Sequence, residues 1–155
     1  MEARAEHGGN HRTVTGRIVV GVDGSVPSKA ALAWAIRQAK LTGAIVEAVT
    51  AWEYGYPAES GGVDLVAQAE QVAIGAIAEL AEDARSVRII PQVLEGNAAE
   101  ILANESAGAE LLVVGSRGHG GFAEMLLGSV GQHCVHHATC PVVVIRDSVN
   151  GSGLC

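Results

Sequence analysis

The chain has 155 residues, of which 48% are hydrophobic and 17% are charged, and its formal net charge at pH 7 is −7. This apolar content can build a buried core, which excludes an intrinsically disordered chain, and the length predicts one domain. The acidic balance excludes nucleic acid and anionic membranes as main partners, because their phosphate groups are bound by clustered lysine and arginine. Only 3% of the residues are aromatic, so we expect a core of small and branched aliphatic side chains, as in a parallel sheet buried on both faces.

The cysteines and the two ends of the chain bear on compartment and organisation. An odd number of cysteines predicts no disulfide framework and favours a reducing compartment; they are Cys134, Cys140 and Cys155. No apolar run approaches the roughly 20 residues that span a bilayer, and the first 16 residues lack the apolar segment of a signal peptide. We therefore expect a cytoplasmic protein with a disordered leader at residues 1–16, a domain at 17–146 and a tail at 147–155.

The first strand and helix have clear boundary signals. The β-branched run Arg17–Val22 predicts a strand, and the turn after it contains Pro27, which a first helical turn tolerates. Ser25 or Ser28 is the expected helix cap. Apolar residues then recur at helical spacing until Gly43, a residue type that commonly ends helices.

The rest of the chain repeats this alternation of strand and helix signals. The clearest helical stripe in the chain runs from Leu65 to Leu80. Pro91 places the third strand at a sheet edge or weakens it, because proline cannot donate to a strand ladder. The further predicted elements are strands at Ala44–Ala51, Val87–Leu94, Leu111–Val114 and Pro141–Arg146, a loop at Trp52–Gly62, and helices capped by Asn97 and starting near Ser129.

Five strands alternating with helices predict an α/β fold, an open parallel sheet with helices on both faces. In such sheets a ligand binds beyond the carboxyl ends of the strands, where the strand order reverses. The informative residues are therefore those that follow the first, second and fourth strands.

A glycine-rich segment, Gly115–Gly121, follows the fourth strand. Glycine lets the backbone approach a ligand closely, and successive free amides form an anion-binding concavity. Further on, Leu127–Val130 opens a predicted helix, whose unpaired N–H groups and dipole favour a phosphate. The Ser129 hydroxyl, Arg117 and His119 add a hydrogen bond and local positive charge. The pattern predicts a phosphate-binding connection; the alternative is that the glycines only form a tight surface turn.

Three familiar site types fit this connection less well. A P-loop requires a lysine after its glycines, and none is present. A nucleophile elbow has glycine where Leu127 stands, and no acid is evident to orient Ser129 and His133. A dinucleotide fingerprint fits Gly118–Ala123 and Asp147, but the chain has one more strand and no second half for a nicotinamide.

Two further clusters allow both a structural and a ligand-binding interpretation. Asp23 suits an Asx-turn or helix cap, or alternatively a Mg²⁺ ion bridging its carboxylate and phosphates. The second cluster is rich in His and Cys, which zinc favours. Its residues also fit a helix C-terminus with a small core cysteine, the interpretation we favour; they are His133, Cys134, His136, His137 and Cys140.

At the glycine-rich connection the sequence resembles the nucleotide-binding branch of the universal stress protein family. The branch motif G-x2-G-x9-G-[S/T] reads Gly115-x2-Gly118-x9-Gly128-Ser129, without departure in spacing. The resemblance extends over roughly residues 17–146. It also includes Ile18–Ser25, Glu95–Leu102, and the segments from Leu111 to Arg146.

The resemblance implies a Rossmann-like domain with strand order 3-2-1-4-5 and a homodimer paired through Pro141–Arg146. It implies ATP as the ligand, with Asp23 at the ribose or the phosphate–metal region and Ala51 at adenine. His119 stands where many members have arginine, so phosphate binding there would be weaker and pH-dependent. The residues assigned to ATP are Gly21, Val22, Asp23, Ala51, Val114, Gly115, Arg117, Gly118, His119, Gly128, Ser129 and Val130.

The expected function is that of an ATP-binding, homodimeric sensor or regulator of the stress response. We expect no catalytic residues and at most slow ATP hydrolysis, with Mg²⁺ held through Asp23. Two alternatives remain open from the sequence: an interaction dimer of the same fold that binds no nucleotide, and a true nucleotide hydrolase.

Overall fold

The computed structural model describes residues 16–54, 64–117 and 127–146, in which five strands alternate with four helices. Gly118, His119, the expected leader up to residue 15 and the tail from residue 147 lie outside these ranges. In chain order the elements are β1 (Arg17–Gly21), α1 (Val26–Thr42), β2 (Ile45–Trp52), α2 (Leu65–Glu79), β3 (Ile89–Glu95), α3 (Ala98–Glu105), β4 (Leu111–Gly115), α4 (Ser129–His137) and β5 (Val142–Ile145).

The strands form one sheet in the order β3-β2-β1-β4-β5, and every neighbouring pair is parallel. This confirms the α/β class predicted from the alternation and the strand order implied by the resemblance. The chain moves outward from β1 in one direction to β3 and then crosses to β4 on the other side. The order therefore reverses between β1 and β4, which places the switch point at the centre of the sheet.

The local signals around α1 act as the sequence predicts. Of the two candidate caps it is Ser25 that caps the helix, its side chain accepting a hydrogen bond from the Ser28 amide at 3.3 Å. Pro27 lies in the first turn, where no intrahelical donor is required. Gly43 follows the helix with a φ of 78°, a left-handed conformation that favours glycine.

The bounds of all five strands differ by one or two residues from the sequence-based expectation, and two of these differences have a visible cause. β2 extends through Trp52, which was expected to open a loop, because Trp52 pairs with Glu95 and its carbonyl accepts from the Gly96 amide at 2.8 Å. β3 begins at Ile89 instead of Val87, since the Val87 amide is held in a turn by the Ala84 carbonyl. Pro91 is in an edge strand, as predicted.

The sheet buries an aliphatic core on each face. On one face, α1 and α2 cover β1 and β2, with Ile18, Leu32 and Val46 fully buried. On the other face, α3 and α4 cover Val19 and Leu112. The strands are thus buried on both sides, as the scarcity of aromatic residues predicts. In the part of the chain that the structure describes, no helix is long and apolar enough to cross a membrane.

Cys134 belongs to the second of these cores. Its side chain lies on the inner face of α4 and is fully buried, which confirms the core interpretation of this cysteine. Burial raises the pKa of the Cys134 thiol to about 11, because the thiolate would lose its hydration. Burial also raises the pKa of Cys140, an effect that the nearby Arg17 guanidinium partly offsets.

We predict that Cys134 resists alkylation by iodoacetamide at pH 8 in the native protein, because the thiolate is the reactive form. Peptide mass mapping should find it unmodified until denaturant is added. The native pKa lies above the ordinary value of 9.0. The contribution of this thiol to stability is therefore complete below pH 9 and is lost between about pH 9 and 11. Equal labelling rates in native and denatured protein would contradict the prediction.

Candidate functional site

The candidate site lies at the carboxyl rim of the sheet, where β1, β2 and β4 end side by side. Val20 of β1 is opposite Val113 of β4, and Gly21 is opposite Val49 of β2. Beyond β1 the backbone remains tied to β2, because the Val22 amide donates to the Val49 carbonyl at 2.8 Å. The three connections that the sequence selects therefore leave the sheet at neighbouring points.

The β1–α1 turn is organised by the carboxylate of Asp23. One of its oxygens, Oδ1, accepts a hydrogen bond from the Ser25 amide at 2.9 Å and another from the Ser25 hydroxyl. The Asp23 amide donates to the Ser28 hydroxyl at 3.2 Å. Asp23 thus forms the Asx-turn that supports the cap of α1, which is the structural interpretation offered by the sequence. Asp23 is nonetheless exposed, so its carboxylate reaches solvent at the rim.

Gly115 at the end of β4 is in close contact with the first turn of α1. A Cβ atom at this residue would lie 2.8 Å from the backbone carbonyl carbon of Pro27, a separation too short for real side chains. The sequence interpretation explained Gly115 by the approach of a ligand. The structure gives a second reason within the protein: α1 can begin this close to β4 only if the residue at this position of β4 has no side chain.

The first turn of α4 is held against the same end of β4. The Gly128 amide donates to the Ser116 carbonyl at 2.6 Å, and the Ser116 amide donates to Ile145 of β5 at 2.8 Å. A Cβ on Gly131 would lie 3.8 Å from the Gly115 carbonyl oxygen, which shows how closely the helix passes. These backbone contacts fix the start of α4 beside the carboxyl end of β4.

The N-terminus of α4 differs from those of the other three helices. Side chains cap α1, α2 and α3, and the capping residues are Ser25, Asp64 and Asn97. α4 has Gly128 at this position, and within the described residues no side chain caps it. The first-turn amides of a helix have no intrahelical acceptor, and the dipole adds positive potential there. Ser129 is exposed at this end, so an anion can reach these donors.

The other predicted residues divide into backbone and side-chain candidates. Val22 and Val114 are buried in opposite cores, so only their backbone faces the rim. Ala51 lies within β2, half-buried and opposite Leu94 of β3. Arg117 is half-buried at the end of the described segment, after Ser116. Gly118 and His119 lie outside the described residues, so their predicted contacts remain predictions.

Sequence reasoning did not single out Thr50. It lies two residues before the end of β2 and is 4% exposed, and its hydroxyl has no hydrogen-bond partner among the described residues. A buried polar atom left without a partner is uncommon and destabilising. The available signal was a hydroxyl residue in an otherwise apolar strand segment, Ala48–Ala51.

The histidines of α4 do not form a ready-made metal centre. Among the described residues, no three His, Cys, Asp or Glu side chains converge in a way that could hold an ion. The rings of His133 and His137 lie close together, with centroids 4.3 Å apart, and those of His136 and His137 are 6.4 Å apart. His136 and His137 occupy the last turn of the helix, as the dipole interpretation expects.

Comparison with known proteins assigns the chain to a family. The model of the universal stress protein family matches residues 15–146. The universal stress protein Rv2623 of Mycobacterium tuberculosis is 39% identical over 135 residues, which is 85% of this chain and 46% of the relative. Rv2005c of the same species is 37% identical over 134 residues, covering 84% of this chain and 45% of the relative. The chain thus spans about half the length of the curated relatives it matches.

Solved structures share the fold. A universal stress protein in complex with cAMP superimposes with a TM-score of 0.65 at 24% identity, over 86% of this chain and 98% of the other. The universal stress protein of Archaeoglobus fulgidus in complex with dAMP gives 0.66 at 20% identity, over 85% and 98%. A family protein of Arabidopsis thaliana with AMP bound gives 0.61 at 19% identity, over 89% and 96%. The chain belongs to the universal stress protein family.

Proposed function

We propose that this chain binds an adenine nucleotide at the carboxyl rim, with the phosphates at the N-terminus of α4. The observation that carries the proposal is the start of α4, which no side chain of the described residues caps and which backbone contacts hold at the switch point of the sheet. Such a helix end binds a phosphate through amides that need no rearrangement. Relatives of the same fold in complex with cAMP, dAMP and AMP support an adenine nucleotide as the ligand.

ATP with Mg²⁺ is the proposed resident ligand. Gly128, Ser129 and Val130 would meet the outer phosphates, and Ala51 the adenine. Asp23 is exposed at the start of α1, on the neighbouring connection. One carboxylate together with phosphate oxygens is a common arrangement for Mg²⁺. The ion would offset the repulsion between a triphosphate and this acidic chain, whose formal net charge is −7.

The proposed role is that of a cytoplasmic, homodimeric stress-response sensor, in which nucleotide binding selects a conformation or a partner. We assign no catalytic residue, and hydrolysis would be at most slow. The Asp23 carboxylate, the acid at the rim, already accepts hydrogen bonds from Ser25 in the β1–α1 turn. Because these hydrogen bonds already engage the carboxylate, Asp23 is poorly suited to act as the general base for an attacking water molecule.

The substitution Ser129→Glu tests the phosphate site directly. A carboxylate at the start of α4 would interact favourably with the helix dipole and repel a phosphate. We expect the melting temperature without ligand to be unchanged or slightly raised, and the Kd for ATP to rise about tenfold. Isothermal titration calorimetry with ATP, ADP, AMP and cAMP would measure the affinities.

Ser86→Glu is the matched control for this charge. Ser86 is exposed in the turn before β3, at the amino edge of the sheet and therefore opposite the rim. The Ser86→Glu substitution should leave nucleotide affinity within about twofold of wild type, because salt screens charge effects over the distance from the amino edge to the rim. Equal affinities for wild type and Ser129→Glu would overturn the phosphate site. Wild-type protein that binds none of the nucleotides would favour the interaction-dimer alternative.

Asp23→Asn separates the turn from the metal ion. Asparagine keeps an oxygen acceptor for the Ser25 amide, so the turn and the cap of α1 should persist. We expect the gain in ATP affinity on adding Mg²⁺ to fall by about tenfold or more, since Mg²⁺ uses few protein ligands. Titrations with Mg²⁺ and with EDTA check this; in EDTA the variant should bind ATP at least as tightly as wild type, because asparagine removes a negative charge near the phosphates. An unchanged Mg²⁺ dependence would contradict the role of Asp23.

The proposed homodimer pairs the segment Pro141–Arg146 with its copy. β5 is an edge strand of the described sheet, with β4 as its one neighbour there. The Pro141 carbonyl accepts from the Leu112 amide of β4, and the Ile145 carbonyl accepts from the amide of Ser116, the residue that follows β4. Alternate strand residues direct their backbone groups to opposite edges, so Val142 and Val144 present theirs outward. An outward row of unpaired donors and acceptors is a template for pairing with another strand.

Val144→Pro tests this interface by removing one outward N–H group. We expect a shift from dimer to monomer in light scattering coupled to size-exclusion chromatography, with the circular dichroism spectrum retained. Val144→Ala keeps the N–H and should remain dimeric. A Val144→Pro protein that is as dimeric as wild type would exclude pairing through β5.

A further inference from the structure

A second candidate site lies between α3 and α4, away from the rim residues. An open groove of about 390 Å³ separates these helices, and His133 and His137 form part of its wall. Glu100 and Asn104 of α3 line the groove as well, together with Thr139, which follows α4. Most of these groups are polar and can donate or accept hydrogen bonds, so the groove is suited to a small polar ligand or an ion.

The dipole of α4 does not account for all of its histidines. His136 and His137 occupy the last turn, where a partial negative charge favours cations. His133 lies one turn earlier, on the same face as His137, and its ring approaches that of His137 with centroids 4.3 Å apart. Imidazole nitrogens can accept from or coordinate a ligand, so two adjacent rings can bind one ligand in common. A shared ligand between them would explain the pair.

The spacing of four residues is one that lets two histidines chelate a single metal ion. Side chains at i and i+4 lie on one helical face with Cβ atoms about 5–6 Å apart. In a tetrahedral zinc site with bonds of 2.0–2.1 Å, two nitrogen ligands are about 3.3 Å apart. The two rings are already close enough for side-chain rotation to reach this separation. Imidazole nitrogen also suits copper and nickel.

We propose that the groove between α3 and α4 binds a divalent transition-metal ion, chelated by His133 and His137, with Glu100 as a third ligand. Glu100 is exposed on the facing helix, and its flexible side chain lines the same groove. Three protein ligands and one water would complete a tetrahedral site. The described side chains do not converge into a metal centre, so the site would form by rotation of the exposed Glu100 and His137 and of the half-buried His133. This site is independent of the proposed nucleotide function.

Zinc binding by the full chain tests the proposal, with a chromophoric zinc indicator as competitor and no nucleotide present. Three glutamine variants of neighbouring histidines give a matched set. We expect His133→Gln and His137→Gln to weaken binding by about tenfold or more, since each removes a ligand. His136→Gln should bind as wild type, because His136 is exposed on the same turn and does not line the groove.

Thermal unfolding gives a second readout on the same proteins. Zinc should raise the melting temperature of wild type and His136→Gln, since a ligand of the native state stabilises it. Zinc should raise the melting temperature less in His133→Gln and His137→Gln. Glu100→Gln should also weaken binding, and an unchanged affinity would remove Glu100 from the site. Equal zinc affinity in all three histidine variants, or no binding by wild type, would overturn the proposal.

Discussion

The approach of two helix starts to the end of β4 is the constraint on which the rim depends. The first turn of α1 contacts Gly115 so closely that a Cβ atom there would lie 2.8 Å from Pro27. One residue later, the Ser116 carbonyl accepts from Gly128, the residue that precedes α4. The short strand end therefore fixes both helices, and the cores beneath them, through Leu32 on one face and Cys134 on the other, hold them in place.

This arrangement makes the same residues serve the fold and the candidate site. Asp23 supports the cap of α1 through its bonds to Ser25 and is also the exposed carboxylate of the rim. Gly115 admits α1 and would also lie beside a bound nucleotide. A substitution at either residue changes packing and ligand contacts together. Ser129, by contrast, is exposed on a helix end that no described side chain caps, so its substitution would act mainly on the proposed ligand.

The two proposed sites use opposite ends of α4 for opposite charges. Its N-terminus presents backbone donors and a partial positive charge, which favour phosphate. Its second half carries His133 and His137, whose ring nitrogens favour a cation, and Glu100 lines the same groove. One helix of nine residues, Ser129–His137, would thus hold an anion at the rim and a metal ion between the helices. The helix dipole gives both placements the same physical basis.

The sequence alone determined the order and type of the elements, because hydrophobic spacing, the cap at Asn97 and the glycine at Gly43 are local signals that act within one turn or strand. It also predicted that the connections after the first, second and fourth strands carry the candidate site. Tertiary structure decided what depends on residues far apart in the chain: the contact of Gly115 with Pro27, the buried hydroxyl of Thr50, and the groove shared by Glu100 and His133. No local pattern encodes such contacts, since they arise only when packing of the sheet and helices brings distant segments together.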